Sequence, residues 1–371
     1  KKSDDQQDLS FTDKRFRDPA WQQSLYFAFI KKYYMISADW IKKTVGQYEL
    51  DNDGKRFLEF ITSQFIDALS PSNFAFSNPE VIRESLESGM SNIVKGMENF
   101  LLDIKKSGSL LTISTTDKSY FKIGKNLATT KGMVIFQNDL IQLICYAPKK
   151  KVHSIPIFIL PPWINKYYIL DLSEENSLIK WLVENNFQVF LVSWVNPTKE
   201  LADKDFEDYL HQGVIEPLEH IQKLGFEKVN AAGYCIGGTL LAIALSYYKA
   251  HNSNIINSAT FLTTLVDFST PGEIGALINK STIGYIENKV SEVGYLDGQY
   301  LSNSFSLIRA NDLVWSYFVN NYLLGKSPVA FDILYWNSDS TNLPAKMYIY
   351  YLKNMYIDNL LKNPECIEML G

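Results

Sequence analysis

The run VNAAGYCIGGTLLAIAL, residues 229–245, decides how this chain folds. A strand ends at Gly233-Tyr234, Cys235 follows, and Ile236-Gly237-Gly238 lead into an apolar helix, so the cysteine stands in the frame G-x-C-x-G. This is the cysteine form of the nucleophile elbow. A bend this sharp leaves no room for side chains at the flanking glycines, and it holds the nucleophile itself in strained backbone. The helix N-terminus beneath the sulfur concentrates partial positive charge, which favours thiolate and offers the Ile236 amide to a developing oxyanion. The same letters also suit a tightly packed turn around a buried, inert cysteine, and spacing alone leaves both readings open.

Working outward, residues from about 119 read as short β-branched and aromatic runs between turns: YFKIG, GMVIFQN, LIQLICYAP and SIPIFILPP. The expected order continues with a helix opened at Ser173, the almost unbroken apolar strand FQVFLVSWV (187–195) and a helix over roughly 205–224. The elbow strand and SATFLTTLVDF (258–268) complete it. Strands alternating with helices predict a parallel sheet with crossover helices, an α/β-hydrolase-type core. A second oxyanion amide should come from the loop PPWINKYY (161–168), within Trp163–Asn165 and with Ile164 favoured. After Asp267 the rhythm fails for about a hundred residues, as an inserted cap would make it.

Ahead of this core, Asp18-Pro19 and Asn78-Pro79 are helix-start signals, the second opening a long helix that should end near Gly108. The expected organisation is a helical domain over 1–118 and a catalytic domain over 119–371, with a cap at about 269–350. Two structural units suit 371 residues, more than one hydrophobic core usually serves. The formal charge of −5 gives no overall footprint for nucleic acid or an anionic membrane. Cys145, Cys235 and Cys366 form neither a disulfide framework nor a metal pattern, and no run is apolar enough to span a bilayer, so the expected location is cytoplasmic. Walker, Rossmann and metal-ligand patterns are absent, so no metal or bound cofactor is expected. Fourteen per cent of residues are aromatic, and clusters such as MYIYYLKNMY (347–356) read as core filling more readily than as a polymer channel.

Several segments together resemble polyhydroxyalkanoate synthases, the polymerases that use hydroxyacyl-CoA. They are RFRDPAWQQS (15–24), NDLIQLICYAP (138–148), PPWINKYYILDL (161–172), FLVSWVNP (190–197), AAGYCIGGT (231–239), LTTLVDF (262–268), NDLVWSYFVNNYLLG (311–325) and FDILYWNSDSTNLP (331–344). The amino-terminal stretch is similar to that of synthases with one long catalytic subunit. The resemblance implies that (R)-3-hydroxyacyl-CoA acylates Cys235 as a thioester with loss of CoA, and that a hydroxyl then attacks that thioester, so that CoA enters only as part of the substrate. It also implies a triad Asp and His downstream of the cap. The sequence ends at NPECIEMLG, where that pattern would be entering further strands, so the expectation is a C-terminally truncated core with the triad Asp and His not in this chain.

His153, His211, His220 and His251 all precede the cap and read as surface or boundary residues, and Asp267 as a strand-end or hinge residue. An unassisted thiol is only a few per cent thiolate at neutral pH, and a positioned base supplies a factor of roughly 10² to 10⁴. The chain alone should therefore be weak or inactive, poorly soluble along an unpaired sheet edge, or completed by a second polypeptide or by a homodimer through the cap. Asp312, Trp315, Asn337 and Asp339 read as turn chemistry or as control of access to Cys235, while Lys166 and Arg309 are basic residues near the site for CoA phosphates. Two further functions stay open: a non-catalytic partner that binds polyester granules or dimerises with an intact synthase, and a cysteine thioesterase of the same fold.

Overall fold

The computed structural model describes residues 13–108, 112–146 and 152–370. Residues 1–12, and the last two of the NDLIQLICYAP stretch (147 and 148), lie outside them. The chain divides into two compact units, one of residues 1–117 with 303–329 and one of 118–302 with 330–371.

The first unit is helical. Helices α1 (Leu25–Val45) and α2 (Asn52–Ala68) are followed by α3 (Pro79–Glu87) and α4 (Ser91–Ser107). Asn78 caps α3 by accepting from the Glu80 and Val81 amides, as its Asn-Pro signal predicts. The single long helix expected to Gly108 is two, because Gly89 and Met90 both turn left-handed, at φ 61° and 69°. The RFRDPAW stretch is an anchor: Phe16 and Trp21 are buried edge to face at 4.9 Å, and Arg15 reaches Asp13, Asp67, Tyr34 and Asn311.

Residues 303–329, read from sequence as cap within the catalytic domain, group with these helices. Buried Asn92 donates to the Leu323 carbonyl at 2.8 Å, and buried Asp103 accepts from the Tyr322 hydroxyl at 2.7 Å. A Cβ at Gly96 would stand 1.9 Å from the Tyr322 carbonyl oxygen, so glycine is what allows that approach. Asp312, paired with Arg309 at 2.6 Å, and Trp315, packed on Phe318, belong to this helical unit.

The second unit is built on a six-stranded sheet. Its strands are β1 (Met133–Gln137), β2 (Ile141–Tyr146), β3 (Ile157–Leu160), β4 (Val189–Trp194), β5 (Val229–Tyr234) and β6 (Ile256–Leu262). The spatial order is β1-β2-β4-β3-β5-β6, with β1 and β2 antiparallel and the β4-β3-β5-β6 set parallel. Helix α5 (Leu178–Glu184), a helical run over 206–223 and α6 (Ile236–Ala250) make the crossovers. The main core lies between the sheet, the 206–223 run and α6, with Phe158, Phe190, Leu210, Leu218, Val229 and Leu240 fully buried.

Three local expectations change. YFKIG is a 3-10 turn at Lys118–Tyr120 and an isolated bridge rather than a strand. Ser177, not Ser173, caps α5, its hydroxyl accepting from the Lys180 amide at 2.9 Å. The strand read over 258–268 is β6, which starts at Ile256 and stops at Leu262, where Thr263 turns to φ 45°.

Candidate active site

The elbow stands at the carboxyl end of β5. Cys235 has φ 55° and ψ −125°, a region that costs an L-residue of order 1–3 kcal/mol and persists only where the surroundings hold it. Three hydrogen bonds hold it: its amide donates to the Leu262 carbonyl at 2.9 Å, and its carbonyl accepts from the Gly238 and Thr239 amides at 2.9 and 3.2 Å. Each elbow glycine is required by space. A Cβ at Gly233 would lie 2.4 Å from the Gly238 Cα, one at Gly237 would lie 2.2 Å from the Leu160 carbonyl oxygen, and one at Gly238 would lie 1.9 Å from the Thr264 hydroxyl.

The Cys235 side chain is exposed, yet its flanks are crowded. Burial pushes the thiol up from its ordinary value, and the Ile236 amide, hydrogen-bonded to the sulfur, opposes that rise without cancelling it. The helix terminus was expected to favour thiolate; the Ile236 amide does pull that way, and desolvation, the larger effect, outweighs it. Ile236 itself is buried. Two groups that sequence reasoning did not single out stand within electrostatic reach of the sulfur: Tyr351 and Tyr356, hydrogen-bonded to each other and with ring centroids 5.4 Å apart. Burial raises both phenols, so both stay protonated donors. Their only signal in the sequence was the aromatic cluster 347–356, which also fills core through Met347, Leu352 and Met355.

Leu160 pairs with Gly233 across β3 and β5, so the 161–168 loop leaves the sheet level with the elbow. Buried Trp163 packs on Trp194 and Tyr209, and Trp194 donates to the Pro161 carbonyl at 2.9 Å. The rest of the loop is clamped by 336–341. Trp336 donates to the Lys166 carbonyl at 2.7 Å, the Thr341 amide donates to the Ile164 carbonyl at 2.9 Å, and the Tyr168 hydroxyl donates to Asp339 at 2.8 Å. Asn165 and Ser340 bridge between them. Asn342 extends the clamp to the SWVNP segment through the Asn196 side chain and the Pro197 carbonyl. The block WNSDSTNLP thus fastens the loop that carries Ile164.

The four histidines have their partners elsewhere. His153 stacks on Phe187 at 4.3 Å, ahead of the amino end of β3; His211 meets Glu216 at 3.2 Å; His220 lies against Phe136; and His251, after α6, contacts the Tyr247 carbonyl at 2.9 Å. Asp267 lies beyond β6 in a turn, bonded by the Asn359 side chain and by Ser269, which together hold its carboxyl well below the usual carboxylate range. Among the described residues no cluster of three or more His, Cys, Asp and Glu is arranged to hold a metal ion.

Residues 12–182 match the family model described as poly-beta-hydroxybutyrate polymerase (PhaC) N-terminus, and residues 157–363 match the alpha/beta hydrolase fold. A poly(3-hydroxyalkanoate) polymerase of Methylorubrum extorquens is 44% identical over 359 residues, which cover 96% of this chain and 59% of the relative. The PhaC polymerase subunit of Rhizobium meliloti is 42% identical, covering 98% of this chain and 60% of the relative, and that of Cupriavidus necator is 38% identical, covering 97% and 62%. The chain therefore spans about 60% of the length of these curated relatives. A carboxyl esterase from Bacillus coagulans is 11% identical with a TM-score of 0.35, covering 64% of this chain and 77% of that one, a likeness too slight to carry an argument. With one model over residues 12–182, the other over 157–363, and relatives 38–44% identical across 96–98% of its length, this chain belongs to the poly(3-hydroxyalkanoate) polymerase family.

Proposed function

We propose that this chain carries the acyl-accepting site of a polymerase that joins (R)-3-hydroxyacyl-CoA units into polyester through Cys235. The observation that carries the reading is the strained cysteine at a glycine-cleared elbow, with the Ile236 amide turned to its sulfur. As thiolate, Cys235 attacks the thioester carbonyl; the Ile236 amide and an amide of the clamped loop, with Ile164 favoured, receive the oxyanion. The carbon–sulfur bond to CoA breaks, and the CoA thiolate takes up a proton from solvent. The new thioester keeps enough free energy to acylate an alcohol. In the second step a hydroxyl of another acyl unit or chain attacks it, the ester bond forms, and Cys235 leaves as thiolate.

That hydroxyl must lose a proton, and the histidines of this chain are engaged with Phe187, Glu216, Phe136 and Tyr247. Turnover is therefore proposed to need a general base from polypeptide outside this chain, and the substrate, the polymer and their meeting place at a granule surface belong to the same proposal. Release of free CoA from (R)-3-hydroxybutyryl-CoA, followed by chromatography of the products, tests the reading. Slow release above a Cys235→Ala control, with oligomeric hydroxyacyl esters, supports it. Free hydroxy acid as sole product would make the chain a thioesterase, and no release above the control at any pH would leave it a binding partner.

A further inference from the structure

The helix Ala345–Tyr351 does not run on as α-helix; it continues as a π turn, Leu352–Ile357. Residues five apart in an α-helix point about 140° away from each other, whereas a π turn closes on the fifth residue and brings it back above the first. Tyr356 therefore returns over Tyr351, with ring centroids 5.4 Å apart and edge to face. Such turns recur at functional sites. The pair is fixed against the elbow from two sides. On one, Tyr351 stacks on Phe206 at 6.1 Å, and Phe206 lies 5.9 Å from Trp163 of the 161–168 loop. On the other, Phe268 meets Tyr356 at 5.0 Å and Tyr351 at 6.1 Å. The Phe268 amide donates to the side chain of Asn359, just past the π turn, at 2.8 Å, and three residues earlier the Leu265 carbonyl accepts from the Thr239 hydroxyl of α6 at 2.8 Å. The two phenols thus bridge the loop that carries Ile164 and the segment that flanks Cys235.

One hydrogen bond between two hydroxyls uses one of their two protons. Burial raises both phenols, and the shared bond adds to the rise of Tyr351 and opposes that of Tyr356, the pattern in which Tyr351 donates and Tyr356 accepts. The proton left over is that of Tyr356. The rings packed on the pair, Phe206 and Phe268, are buried and offer no acceptor, and no other partner of the Tyr356 hydroxyl is found among the described residues. A half-buried donor left over within reach of the sulfur is free for a ligand. Tyr234, the third phenol near the sulfur, packs instead on the far face of the sheet with Ile159 and Leu182. The inference that follows rests on Cys235 as acyl acceptor. On that reading the acyl carbonyl goes to the Ile236 amide, and the one polar atom that remains on a 3-hydroxyacyl group is its hydroxyl, which would otherwise lie among aromatic rings without a partner.

We propose that Tyr356 is the specificity-determining residue that donates to the 3-hydroxyl of the acyl group on Cys235, with Tyr351 as its positioning residue. The test is acylation of the full chain by (R)-3-hydroxybutyryl-CoA and by butyryl-CoA, which lacks the hydroxyl, each followed at alkaline pH by mass mapping of the Cys235 peptide. Expected are a parent that takes the hydroxyacyl group about tenfold faster, and a Tyr356→Phe variant in which that rate falls about tenfold while the rate with butyryl-CoA stays within about twofold. Tyr351→Phe, which removes the shared bond and leaves Tyr356 in place, should lose part of the preference. Damage to the fold slows both thioesters together, so the ratio of the two rates reads the bond. A parent that takes both acyl groups equally fast, or a Tyr356→Phe variant that keeps the parent's ratio, overturns the proposal and leaves Cys235 as acceptor. No adduct on Cys235 of the parent from either thioester would overturn the reading beneath it, and the proposal with it.

Discussion

Cys235 combines two opposed demands: a sulfur open to a substrate, and a backbone pinned so tightly that burial works against ionising it. The folded chain holds the thiol proton more firmly than an unfolded chain does. Stability contributed by the neutral thiol is thus present below the ordinary thiol range and falls as pH rises through it. In the isolated chain, iodoacetamide labelling of Cys235 should show its inflection above that of a free cysteine, about 8.5, when followed by peptide mapping. An inflection near neutrality would mean that some group in this chain already stabilises the thiolate. The elbow was legible because so sharp a strand-to-helix bend needs glycine on either side of the nucleophile, so G-x-C-x-G describes geometry directly, although two of the atoms that forbid a side chain there, on Leu160 and Thr264, lie far off in sequence. The Tyr351–Tyr356 pair was not legible, because nothing in MYIYYLKNMY tells a phenol beside the sulfur from one that fills core.

At the scale of elements, the most informative piece is the clamp on the 161–168 loop. Tyr168 is almost fully buried and its hydroxyl has Asp339 as partner, so Asp339→Ala leaves a buried donor unsatisfied. The expected cost is about 1–3 kcal/mol in denaturant unfolding. It should come with slower acylation of Cys235 at unchanged thiol accessibility, since the loop, not the elbow, is loosened. If Asp339→Ala unfolds and acylates as the parent does, the clamp does not position the loop. Sequence marked Asp339 and Asn337 but split them between turn chemistry and access control, because contacts across about 170 positions have no local signature. The strands were legible for the opposite reason: FQVFLVSWV and SIPIFIL are buried on both faces and so read as unbroken apolar runs. YFKIG failed that logic, its side chains being exposed or half-buried, with β propensity but nothing to pair along its length. Ser173 and Ser177 are both fair caps four positions apart, and the choice falls to Ser177 because its hydroxyl also bonds Asp171 at 2.6 Å.

At the scale of the whole molecule, the two units have different sequence logic. The sheet unit follows from alternation of strands and helices; the helical unit gathers 303–329 from far along the chain, and such a return leaves no trace in periodicity. The sheet unit also carries a consequence for association. In the described residues β6 is an edge strand, and Phe261 and Leu262 are 44% and 39% exposed. A parallel, apolar edge of this kind invites pairing with another chain. Light scattering across a wide concentration range should therefore show self-association, and Phe261→Lys should shift it towards monomer. A parent chain that stays monomeric and unfolds cooperatively would count against an open edge.

The central claim is that Cys235 accepts the acyl group. Its most direct measurement is mass mapping of the chain after incubation with (R)-3-hydroxybutyryl-CoA at alkaline pH, where the raised thiol is ionised and needs no base. The account predicts one hydroxybutyryl adduct on the peptide that holds Cys235, lost on treatment with hydroxylamine and absent from Cys235→Ala. No adduct there, or an equal adduct on Cys366 in the same chain, would contradict it.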